Sequence, residues 1–162
     1  MPERHWIEKL AIDHGDLLLK YLRQAEGRAP DDVELLEKLF LDYDVHRGDE
    51  VLDLCCGYGR LSTRLADKGY RVTGLDISPT SIEYGRRWAE DMKIGDRVEF
   101  IVGDVRDVLK ILSDKLGKYR AIISMFDSLG YYDDETDRSI LKQSHELASR
   151  NGLLVLEVGN RD

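Results

Sequence analysis

The chain is poor in cysteine, in proline and in basic charge, and each shortage closes off a class of function. Its 162 residues hold two cysteines, three prolines, and 24 lysines and arginines against 32 aspartates and glutamates, a formal net charge of −8. Cys55 and Cys56 are neighbours; adjacent cysteines seldom form a disulfide, and with no other thiol there is neither a disulfide framework nor a zinc spacing. They read as small packing residues at a strand end rather than as a redox pair. The acidic balance argues against sequence-independent binding of nucleic acid or anionic membranes, since both need a basic surface. No apolar run approaches a membrane span, and the opening Met-Pro-Glu-Arg-His lacks the apolar core of a signal peptide. The expected compartment is the cytoplasm. The four histidines, His5, His14, His46 and His145, have no partner at metal spacing, so no metal site is expected.

What is present is an alternation of strands and helices. The first 45 residues predict two helices, Trp6–Gln24 and one opening at Pro30 with Asp31 and Asp32 in its first turn. Gly27 and Pro30 separate them. After the turn at Gly48 come strand Glu50–Leu54 and helix Arg60–Lys68, then strand Arg71–Leu75 and helix Pro79–Lys93, capped by Ser78. Strand Arg97–Val102 leads to a helix over Val105–Leu116. Strand Tyr119–Met125 leads to a helix over about Asp133–Ser149, which Asn151-Gly152 is expected to stop before a fifth strand, Leu153–Val158. Short apolar strands alternating with helices predict an α/β fold: a doubly wound, mainly parallel sheet between two helical layers. One domain is expected, with residues 1–46 a helical segment over the cleft and 47–162 the core.

In such a sheet ligands bind beyond the carboxyl ends of the strands. Strand one carries Asp53 and runs into the glycine turn of E-V-L-D-L-C-C-G-Y-G, where Gly57 and Gly59 let the backbone turn sharply and approach a ligand. Strand two ends at Asp76, whose carboxylate can accept both hydroxyls of a ribose. Strand three ends in Gly103-Asp104, a second acid suited to an exocyclic amine. Each signal alone is weak, but together they converge on one crevice and predict an adenosine-type ligand. A dinucleotide fingerprint would place a third glycine where this chain has Ser62. The acid inside strand one also suits a cationic ligand better than a pyrophosphate. S-adenosylmethionine is therefore favoured over NAD.

With these residues in view, the chain resembles the class I S-adenosylmethionine-dependent methyltransferases from Val51 to its end. V-L-D-L-C-C-G-Y-G-R resembles the family's first motif, V-T-G-L-D-I-S its second and F-I-V-G-D-V-R-D its third; M-F-D-S-L-G-Y-Y and L-E-V-G-N-R-D resemble a branch acting on small molecules. The resemblance implies a Rossmann-like fold and S-adenosylmethionine as cofactor, leaving S-adenosylhomocysteine as product. Gly57 and Gly59 would pass under its methionine portion, with Cys55 and Tyr58 beside them, and Asp53 would hold its amino group. Asp76 would take the ribose hydroxyls, Ile77 would pack on the adenine, Asp104 would accept from its amine, and Val105 would donate its backbone N–H to the ring. Met125 and Phe126 would line the crevice beside the methyl group. Candidates for a general base are Asp127, Tyr131 and Tyr132.

The family's sheet runs to seven strands, whereas the strands predicted here stop at five. The chain reads as a fragment or naturally short form whose fifth strand is an edge, covered in a homodimer or by a partner subunit. The expected function is methyl transfer to a small-molecule acceptor. A partner-dependent or non-catalytic cofactor-binding subunit is the alternative, with an NAD-dependent oxidoreductase behind it. Nucleic acid is not expected as a partner, since the net charge is wrong and strand four is followed by F-D-S-L rather than a proline-rich amino-methylating motif.

Overall fold

Glu50–Leu54 is apolar towards both faces, and it becomes β1, the central strand of a five-stranded, all-parallel sheet. The computed structural model describes residues 4–159. Strands β2 (Arg71–Asp76), β3 (Val98–Val102), β4 (Tyr119–Ser124) and β5 (Ala148–Leu156) complete the order β3-β2-β1-β4-β5. Successive side chains of a strand point to opposite faces, and the core divides accordingly. Val51 packs with α3 (Ala29–Asp42), α4 (Ser62–Asp67) and α5 (Pro79–Asp91) through Leu36, Phe40, Leu65 and Ile82. Leu52 and Leu54 pack with α6 (Val108–Ile111) and α7 (Asp134–Leu147) through Val108, Leu112 and Leu147. Helices on both sides make the three-layer, doubly wound arrangement, and the order reverses at β1, where β2 lies on one side and β4 on the other.

Local chemistry sets several boundaries. Ser78 caps α5 by accepting from the Ser81 amide, with Pro79 as the first helical residue. Asp133 caps α7 by accepting from Thr136 at 2.8 Å.

Three expected elements differ. The helix expected over Trp6–Gln24 is broken into α1 (Trp6–Glu8), a π-helical turn Lys9–Asp13, α2 (Gly15–Leu22) and a 3₁₀ segment Arg23–Arg28. The break falls at Gly15, where a Cβ would stand 2.5 Å from Thr80 Oγ1; bare backbone lets this segment close on α5. The helix expected over Val105–Leu116 becomes α6 between 3₁₀ turns Val105–Asp107 and Ser113–Lys115. Gln143 of α7 interrupts it by accepting from Leu109 N at 3.0 Å and donating to Arg106 O at 2.8 Å. Asn151-Gly152 does not stop α7. The helix ends at Leu147, β5 pairs Ala148 with Tyr119, slips, and resumes with Leu153 against Ala121. Asn151, at φ +62°, sits in that irregularity.

β3 and β5 are the edge strands, and Leu154 and Leu156 of β5, with Val158 just after it, are exposed. Asn160, Arg161 and Asp162, which end the L-E-V-G-N-R-D stretch, lie outside the described residues, as do Met1 to Glu3. Among the described residues no helix is long and apolar enough to cross a membrane.

Candidate functional site

The carboxyl ends of β1 to β4 open into a cavity of about 530 Å³, within the range of small-molecule sites. Asp53, Cys55, Gly57, Tyr58, Asp76, Ile77, Asp104, Val105, Met125, Phe126, Asp127 and Tyr131 all line it, and so does Tyr132. Gly59 does not. A Cβ on it would lie 2.4 Å from Phe100 Cζ, so its bare face lets the turn pack onto β3.

The glycine turn is held by Asp76. Its Oδ2 accepts from Gly57 N and its Oδ1 from Ser78 N, each at 2.8 Å. Burial raises the pKa of this carboxyl. Each oxygen has lone-pair capacity left for a hydroxyl donor. Gly57 adopts φ +58°, and a Cβ there would meet Leu22 Cδ1 at 3.1 Å, so plain backbone faces the cavity between the turn and α2.

Asp53 lies deeper, 3% exposed, on the sheet face that carries α4. Ser62 Oγ, from the first turn of α4, donates to its Oδ2 at 2.6 Å. Burial pushes the carboxyl up to about 7, against the hydrogen bond from Ser62 and the nearby Arg60. At neutral pH Asp53 is therefore poised between its two forms. Burial also pushes both Cys55 and Cys56 well above the ordinary thiol value, which leaves neither as a thiolate.

At the third strand end Arg106 closes on Asp104. Its backbone N–H donates to Oδ1 at 2.9 Å and its Nε to both oxygens at 3.0 Å. Burial works against the charged form, but these bonds prevail and hold the Asp104 carboxyl below its usual range. The same guanidinium reaches Glu8 Oε1 at 2.6 Å and lies 4.5 Å from the Tyr132 ring centroid. One side chain thus joins the N-terminal segment, the end of β3 and the loop after β4.

That loop turns sharply, with Phe126 at φ +66° and Asp127 at φ +56°. Two successive non-glycine residues in the left-handed region are strained, and such strain gathers at ligand sites. Asp127 is exposed at the cavity mouth. Burial raises the Tyr131 hydroxyl and pushes Tyr132 to about 12. Both stay protonated near neutrality, which suits them to orient a substrate rather than to take its proton.

The N-terminal segment supplies Trp6, Leu10, Leu18, Tyr21 and Leu22 to the wall. Trp6 meets Tyr131 edge-on at 5.7 Å, and His5 lies 4.7 Å from Tyr132. Glu26 receives the Tyr58 hydroxyl and the Arg64 guanidinium. The expectations of the sequence left out Ser62, Arg60 and Arg106. Ser62 was visible only as a missing glycine, although a hydroxyl there is what Asp53 requires. Among the described residues no group of three or more His, Cys, Asp or Glu side chains is arranged to hold a metal.

Comparison with known proteins agrees with this geometry. Residues 51–152 match the methyltransferase domain family. The mitochondrial ubiquinone biosynthesis O-methyltransferase of Schizosaccharomyces pombe is 28% identical over 130 residues, 80% of this chain and 44% of that enzyme. The 23S rRNA (uracil(747)-C(5))-methyltransferase of Pyrococcus horikoshii is 43% identical over 60 residues, 37% of this chain and 14% of that one. The magnesium protoporphyrin IX methyltransferase of Synechocystis PCC 6803, solved with bound S-adenosylmethionine, superposes with a TM-score of 0.61 at 26% identity, covering 74% of this chain and 54% of that one. The chain spans half or less of the length of the curated relatives it matches. The family match over most of the parallel core, joined to the strand-end acids and glycine turn, leaves one assignment: the chain belongs to the class I S-adenosylmethionine-dependent methyltransferases.

Proposed function

We propose that this chain binds S-adenosylmethionine in the cavity and serves methyl transfer to a small-molecule acceptor. The observation that carries the reading is the convergence of Asp53, Gly57, Asp76 and Asp104, from three strand ends, on one cavity. When bound, the cofactor supplies a methyl group made electrophilic by a positively charged sulfur. The free lone pairs of Asp76 take the ribose hydroxyls, and Ile77 and Val105 flank the adenine. Asp104, kept ionised by Arg106, accepts from its amine. Asp53 offers its carboxylate to the amino group while Ser62 fixes its orientation. The backbone at Gly57 leaves room for the methionine portion. Tyr21, Phe126 and Tyr131 shape the space for the acceptor, and alignment there accounts for most of the catalysis expected. Where an acceptor must lose a proton, Asp127 at the mouth is the group suited to receive it.

The relatives include both small-molecule and RNA enzymes by name. The net charge of −8 favours the small-molecule class here, because an RNA backbone needs a basic surface to hold it. A second reading, a cofactor-binding subunit completed by a partner, is favoured by the β5 edge, which has no neighbouring strand on its outer side among the described residues. It differs in predicting binding without turnover by the chain alone.

Titration calorimetry with S-adenosylhomocysteine tests the common core of both readings. One site per chain is expected, with no comparable heat from NADH. A folded chain that takes up no S-adenosylhomocysteine would overturn the proposal.

A further inference from the structure

We infer that Arg60 receives the carboxylate of the cofactor's amino-acid end and so makes the cavity selective for ligands with an intact tail. The inference rests on the proposed cofactor. Arg60 directly follows the glycine turn, is 6% exposed and lines the cavity. Its Nη1 donates to Asp32 Oδ2 of α3 at 2.7 Å. Its Nη2 is buried and has no hydrogen-bond partner among the described residues. A buried charged donor left unpaired is costly, and native structures rarely keep one without a purpose. The Phe126 ring, 5.5 Å from the guanidinium carbon, shields it from water but is a weak substitute for an acceptor.

The charges around the cavity point to what the missing acceptor is. Asp53, Asp76, Asp104, Asp127 and Asp137 line it, and among the described lining residues Arg60 is the one Lys or Arg side chain. A ligand ending in an ammonium and a carboxylate finds an acid for the first in Asp53. For the second it finds Arg60. The Asp32 bond fixes the guanidinium, with Arg28 3.5 Å from the other Asp32 oxygen, so the free edge is oriented before the ligand arrives. Such preorganisation is what makes a charge pair selective.

The test pairs S-adenosylhomocysteine with its decarboxylated analogue, which keeps the adenosine, the sulfur and the amine. Calorimetry on the wild-type chain should show the carboxylate-bearing compound binding roughly ten- to a hundredfold more tightly. The double variant Arg60→Gln/Asp32→Asn removes both halves of the buried pair, and the exposed Arg28 keeps its other partner, Glu157. The variant should bind the two compounds about equally, whatever the change in affinity that both share through the effect of Arg60 on Asp53. A preference that survives in the variant places the carboxylate elsewhere and overturns the assignment. So does a wild-type chain that binds both equally, a result that no folding defect can mimic. Failure of the wild-type chain to bind either compound is a separate outcome, and it overturns the cofactor reading together with this one.

Discussion

Asp53 keeps its carboxyl near 7 because the sheet and α4 bury it, although Ser62 and Arg60 pull the other way. Its ordinary value is 3.8, so between about pH 4 and 7 the folded chain holds a proton that the unfolded chain has released. Its contribution to stability is therefore largest at the acid end and falls as pH rises through that window. A cationic ligand reverses the balance by favouring the carboxylate. Binding of S-adenosylhomocysteine at pH 6.5 should thus expel part of a proton, seen as a dependence of binding heat on buffer ionisation enthalpy. Methylthioadenosine, which lacks the amino-acid end, should expel none, and Asp53→Asn should abolish the effect. Equal proton release by both ligands would remove Asp53 from the amino-group site. At this scale the acids were legible in the sequence because they stand at strand ends. Their partners were not: Ser62 meets Asp53, and Glu8 meets Arg106, only through the angles at which helices enter.

The glycine turn assigns different work to its two glycines. Gly59 combines φ +78° with a Cβ position 2.4 Å from a packed ring, whereas Gly57 combines φ +58° with 3.1 Å to the movable end of Leu22. Gly59→Ala should therefore cost about 2–5 kcal/mol, left-handed strain plus overpacking. Gly57→Ala should cost only the strain, about 1–2 kcal/mol, yet weaken S-adenosylhomocysteine binding because its new methyl group enters the cavity. Urea unfolding and calorimetry on the two variants separate these outcomes; a Gly57→Ala chain with unchanged affinity would contradict the placement. Strand and helix identities were legible from periodicity, and β1, β2 and β3 fall within a residue of expectation. The breaks were not, since the one in α6 is made by Gln143 from a distant helix and the one before α2 by contact with Thr80. Asn151-Gly152 misled because the same dipeptide that ends a helix can also shape an irregular strand.

For the molecule as a whole, the question is what lies against β5. It is an edge strand, so one side of its backbone has no neighbouring strand among the described residues, and Leu154 and Leu156 stand exposed on it with Val158 just beyond its end. Open, apolar edges pair with other chains unless charge or cover prevents it. Self-association of this chain through β5 is the expected result, visible in sedimentation velocity as a weight-average mass that rises with concentration. Each copy carries a net charge of −8, so approach is opposed by repulsion that salt screens. Association through an apolar edge should accordingly strengthen as salt is raised, whereas association driven by opposite charges would weaken. Leu154→Lys and Val158→Lys together should leave a monomer at all salt concentrations. An association that survives both lysines, or that dissolves in salt, would place the contact away from β5.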